Sequence, residues 1–188
     1  MKKQKSSVKV KITALSAMLC ALGTVILFFG GMMGDLDLTV SAVASLIILV
    51  AMIEMGIKSG ILIYAVTSAV ALILFPAYYI TPMYILFVGF YPLLKYFAEK
   101  KKRVLSYLIK LGVLNVMLGL LLLLAEFVYG IDVSSMEIGE LQLGNWVILL
   151  TYVAANITLL IFDYCLTKLI LLYNLKFRQI LKIYKFLK

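Results

Sequence analysis

ITALSAMLCALGTVILFFGG, residues 12–31, runs without a charged side chain directly after a start that holds Lys2, Lys3, Lys5, Lys9 and Lys11. A helix rises about 1.5 Å per residue, so a run of that length reaches across the roughly 30 Å hydrocarbon core of a bilayer. A basic start followed by an apolar run also resembles a secretory signal peptide. This run is longer than the roughly 7–15 residues of a signal-peptide core, and removing it would leave an odd number of spans, so it reads as the first span.

Working outward, five further stretches have the same character. We place the spans near residues 12–33, 39–57, 59–78, 82–98, 104–129 and 145–172. The fold class expected is an all-α integral membrane protein: one domain over residues 1–188, built as a bundle of six transmembrane helices. With 64% apolar and only 14% charged residues, the composition stands well away from the roughly 25% charged content of soluble domains.

Charge sets the orientation, because Lys and Arg in short loops stay on the cytoplasmic side. All 18 of them fall on one side of this threading. Beyond the five at the start, these are Lys58, then Lys95, Lys100, Lys101, Lys102, Arg103 and Lys110, then Lys168, Lys176, Arg178, Lys182, Lys185 and Lys188. The opposite loops carry Asp35, Asp37, Asp132, Glu137 and Glu140. Both termini are therefore expected in the cytoplasm, in a multi-pass protein of the cell membrane. The net charge of +9 is read as attraction to anionic membrane lipids and not as a nucleic-acid surface, since the basic residues flank spans. Residues 173–188 interleave Lys and Arg with Leu, Ile, Phe and Tyr, the pattern of an amphipathic helix lying on the inner surface.

Several function classes lose support at this stage. The chain has no His, its Asp and Glu are scattered, and Cys20 and Cys165 lie within apolar runs, so neither a metal site, a cofactor nor a disulfide framework is expected. No Walker motif, Ser/His/Asp set or paired-Asp span face is present, and no catalytic residue is assigned.

Local signals divide the spans. Gly30-Gly31 and Gly34-Asp35 close the first, and Asp37 and Thr39 offer caps for the second. Glu54 and Lys58 straddle a very tight turn with the spacing of a helical pair, while Gly56 and Gly60 relieve crowding there. Pro92 should bend span four or end it early. Tyr78, Tyr79 and Trp146 suit headgroup level. The segment from Ile131 to Gly144 is the longest connection and could cover a site.

Polar residues inside a bilayer are costly and turn toward protein or water. In span six, Asn145, Tyr152, Asn156 and Asp163 follow at intervals that place them on one helical face, with Thr151, Ala154, Ala155, Thr158 and Cys165 on the other as a packing face. The stripe reads equally as a ligand site or as interhelical hydrogen bonding. Asp163, near Lys168, reads as half of a local ion pair. Glu126 and Asn115 in span five, and Tyr84, Tyr91 and Lys95 on one face of span four, are further polar or aromatic candidates. In span one, Thr13, Ala17 and Ala21 recur every fourth residue, which permits close helix approach inside the protein or against a separate subunit.

With six spans, both ends inside and a basic start running into KITALSAMLCALGTVILFFGG, the chain resembles the substrate-binding S components of energy-coupling factor (ECF) transporters. In that family an Ala-rich first helix docks the transmembrane coupling subunit through a small-xxx-small face, which Ala17 and Ala21 fit. DLTVSAVASLIILVAMIEMGIKSGILIYAVTSAVALIL, residues 37–74, is similar to the family's second and third helices, although Met55-Gly56-Ile57-Lys58 lacks the Gly-Pro pair often found at their turn. The resemblance implies a non-enzymatic subunit that captures a small-molecule substrate, a vitamin or related micronutrient, at the outer face. Its implied partners are a coupling subunit and two ABC-type ATPases. The implied site is enclosed by the loops after spans one, three and five with the later helices, and Asn145, Tyr152, Asn156, Glu126 and Tyr84 are its candidate substrate-binding residues. No vitamin-specific signature names the substrate. The alternative is a non-catalytic membrane scaffold in envelope assembly or cell shape, which would bind no ligand.

Overall fold

The computed structural model describes residues 2–34, 36–130 and 146–177. It is all-helical over these residues, with six helices long and apolar enough to cross a membrane. We label them α1 (Lys2–Met33), α2 (Asp37–Met55), α3 (Ile57–Leu74), α4 (Ile80–Ala98), α5 (Arg103–Phe127) and α6 (Trp146–Leu172), the last running on into a π turn over Tyr173–Phe177. Packing divides the chain into two compact units, one of Met1–Leu93 with Ile170–Lys188 and one of Leu94–Leu169. Asn145, the Ile131 to Gly144 connection and most of the expected surface tail lie outside the described residues.

In the first unit, α1, α2 and α3 pack against one another and the start of α4 closes onto all three. The inward edge of α1 is Ser16, Cys20, Gly23, Leu27 and Gly30, small and apolar residues at alternating steps of four and three. Gly30 is needed for close approach: a Cβ there would overlap Val40 of α2 and stand 2.8 Å from Ile80 Cδ1 of α4. Gly30 and Gly31 thus lie inside α1, and the helix ends at Gly34, whose φ of +66° favours glycine. No side chain caps α2; its start at Asp37 places that carboxylate in the first turn, where the helix dipole favours negative charge.

The α2–α3 turn is a single residue, Gly56, at φ +89°. That break puts Glu54 and Lys58 on different helices, so the expected pairing along one helical face does not arise there. Glu54 Oε1 accepts a hydrogen bond from the Tyr173 hydroxyl at 3.2 Å, while Lys58 is exposed.

The irregularity in α4 comes before Pro92, not at it. Tyr84–Val88 form a π turn, with the Gly89 amide donating to the Tyr84 carbonyl at 2.8 Å, and regular helix resumes at Tyr91. Pro92 then occupies the first turn of the resumed helix, where a missing N–H removes no bond, and the helix continues to Ala98.

Candidate functional site

The second unit holds a column of polar contacts that joins α5 to α6. As α5 advances from Lys110 to Asn115 to Gly119, α6 recedes from Asp163 to Asn156 to Tyr152, the register of an antiparallel pair. The buried stripe of α5 is Ser106, Lys110, Leu114, Leu118, Leu121 and Ala125, one residue per turn.

At the base of the column four charges close into a network. Lys95 Nζ donates to Asp163 Oδ1 at 2.6 Å and to Thr167 Oγ1 at 2.8 Å, and pairs with Glu99 Oε1 at 2.7 Å. Lys110 Nζ donates to the same two carboxylates, to Glu99 Oε1 and to Asp163 Oδ1, each at 2.9 Å. Each ammonium bridges both carboxylates, so the group is electrically neutral. The lysine side chains are 3% and 4% exposed, Asp163 is 11% exposed and Glu99 48%. Such a burial is tolerable only because the charges are matched and hydrogen-bonded. Burial pushes the Glu99 carboxyl up, but its hydrogen bonds to Lys95 and Lys110 and their charges outweigh this and hold it below the usual glutamate range.

Asp163 was expected to pair with Lys168. Residues five apart on a helix are turned by about 140° from one another, which puts these two on different faces. Asp163 meets Lys95 and Lys110, whereas the Lys168 ammonium lies 5.3 Å from the centre of the Tyr164 ring.

Above the network, Asn115 and Asn156 exchange side-chain hydrogen bonds. Asn156 Nδ2 donates to Asn115 Oδ1 at 2.8 Å, and Asn115 Nδ2 donates to Asn156 Oδ1 at 3.1 Å. Asn156 Nδ2 also donates to the Tyr152 carbonyl at 2.8 Å. Tyr152 is half-buried, its hydroxyl 2.9 Å from where a Cβ on Gly119 would stand. The polar face of α6 is therefore the one that packs on α5. Ala154, Thr158 and Cys165, expected to form its packing face, are exposed.

The remaining expected site residues are divided between the two units. Glu126 is exposed, one position beyond the buried stripe of α5. Tyr84 belongs to the first unit, where it is 1% exposed and lies with its ring centre 6.2 Å from that of Tyr64. Ala17 and Ala21 are exposed on α1, and Ala17 lines an open groove with Ile12, Ser16, Cys20, Lys58 and Leu62. Among the described residues no group of three His, Cys, Asp or Glu is placed to hold a metal ion.

Sequence reading missed the four-charge network, since Lys95, Lys110 and Asp163 come from three helices and Glu99 lies just past the end of α4. Two signals were present: Lys110 interrupts the apolar run of α5, and Lys95 and Glu99 have the spacing of a helical ion pair. No family model, curated protein or solved structure matches this chain.

Proposed function

We propose that this chain is the substrate-capturing membrane subunit of an ECF-type uptake system in a bacterial plasma membrane, with both termini cytoplasmic. It performs no chemistry; it takes up a vitamin or related micronutrient from the outer face, and a coupling subunit with two ABC-type ATPases supplies the work. Tyr152, Asn156, Glu126, Tyr84 and Asn145 remain the residues proposed to contact the substrate.

One observation supports this reading most. Ser16, Cys20, Gly23 and Leu27 point α1 into its own unit, which leaves Ala17 and Ala21 uncovered beside an open groove. Small residues uncovered on a spanning helix allow another helix to approach closely. Ala17→Leu and Ala21→Leu should therefore prevent co-purification of a coupling subunit while leaving the protein folded and monodisperse. Unchanged co-purification in both variants would remove the docking argument.

A second reading, a non-catalytic scaffold, is favoured by the Asn115–Asn156 exchange. The two amides satisfy each other, as residues that merely join helices do. The two readings separate on ligand retention, which a scaffold lacks.

A further inference from the structure

At the start of α5, Glu99, Lys101, Arg103, Ser106, Lys110 and Asp163 line an open pocket of about 290 Å³, with Tyr107 and Thr167 at its wall. We propose that this pocket binds a phosphate group, and that the headgroup of an anionic lipid supplies it. The inference does not depend on the transporter reading and assigns the pocket a role of its own.

Charge comes first. Glu99 and Asp163 line the pocket, but Lys95 and Lys110 neutralise both. Lys101 and Arg103 are then surplus positive charge; both are exposed, and although the Lys101 amide donates to the Ala98 carbonyl at 3.0 Å, neither side chain has a hydrogen-bonding or ion-pair partner among the described residues. A basic pocket between spanning helices at the charged end of a bundle suits an anionic headgroup.

Donor geometry adds to this. No side chain caps α5 at Lys102, and the first bond into the helix runs from the Ser106 amide to the Lys102 carbonyl at 2.9 Å. The amides of Arg103, Val104 and Leu105 are therefore left without acceptors inside the helix, at its positive end. Two deeply buried side chains on the pocket wall have donors to spare. Ser106 is 5% exposed and its hydroxyl has no hydrogen-bond partner among the described residues. Lys110 is 4% exposed and commits two of its three N–H groups to Glu99 and Asp163, with the Tyr107 ring centre 5.6 Å away. A phosphate offers acceptors in number, which these donors otherwise lack.

The test compares the full chain with Lys101→Gln/Arg103→Gln in detergent micelles doped equally with phosphatidylglycerol and phosphatidylcholine, read by native mass spectrometry. The intact protein should retain phosphatidylglycerol in preference to phosphatidylcholine. The double variant should lose that occupancy by on the order of 30-fold, two basic residues each contributing about fivefold near a headgroup. Ser106→Ala should weaken it severalfold, and Lys58→Gln should leave it unchanged. Titration with inorganic phosphate gives the second arm. A phosphate-dependent rise in melting temperature that the double variant lacks, without lipid preference, would keep the pocket and change its ligand to free phosphate. Equal lipid occupancy and equal phosphate response in both proteins would overturn the proposal. If the double variant is not monodisperse, Arg103→Gln alone, altering one exposed side chain, carries the same comparison.

Discussion

Lys95 and Asp163 stand 68 residues apart in sequence and 2.6 Å apart in space, and Lys110 reaches the same carboxylate oxygen at 2.9 Å. Asp163 is thus the shared counter-ion of two buried ammonium groups. Removing one member of a buried pair leaves an uncompensated charge and costs about 3–5 kcal/mol. Asp163→Asn should therefore lower thermal stability in detergent by that order, and more than Glu99→Gln, whose carboxylate is already half in contact with solvent. Lys95→Gln combined with Asp163→Asn should cost less than the two separate losses added together. Stability unchanged in Asp163→Asn would remove the network as a structural element.

The Glu99 carboxyl, held below its usual value of 4.5, gives the network a pH dependence. A group with a depressed folded-state pKa contributes stability above its unfolded value and loses it as pH falls through the folded value. Unfolding measured from neutral pH downward should show a loss that sets in as pH falls through the usual glutamate value and is complete only below the lowered folded value. That part of the loss should be absent in Glu99→Gln. Its size is reduced by solvent screening, since the side chain is half exposed.

The Asn115–Asn156 exchange predicts a coupling of about 0.6–1.7 kcal/mol in a double-mutant cycle with alanine, the range of interhelical hydrogen bonds in membranes. If this face also holds substrate, replacing Asn156 and Tyr152 together should abolish retention of a co-purifying small molecule while expression persists. Retention in that variant would assign the stripe to helix packing alone.

Topology is tested separately. A reporter fused at Lys101 should map to the cytoplasm and one at Ser134 to the outside. The reverse result at either position would contradict the orientation read from Lys and Arg.

The spans were legible because a bilayer demands about 20 apolar residues whatever the rest of the protein does. Their ends were less so. Gly30 reads as a terminator in isolation, yet it lies within α1 because Val40 and Ile80 need the space of its missing side chain. Pro92 reads as a breaker, and only the bond from Gly89 to Tyr84 reveals that the helix loosens earlier and restarts where proline fits. The stripe on α6 was visible as a face, but which side meets α5 was not, since periodicity gives direction without naming a neighbour. The charge network was the least legible part. Lys95, Lys110 and Asp163 come from three helices, and nothing in their spacing states that they meet.

The most direct test of the proposed function is recovery of the tagged protein from its native membrane in mild detergent, with co-purifying proteins and small molecules identified together by mass spectrometry. A coupling subunit with two ABC-type ATPases and a stoichiometric vitamin-like metabolite is the predicted result. Recovery of envelope-synthesis or cell-shape proteins with no bound metabolite would contradict it.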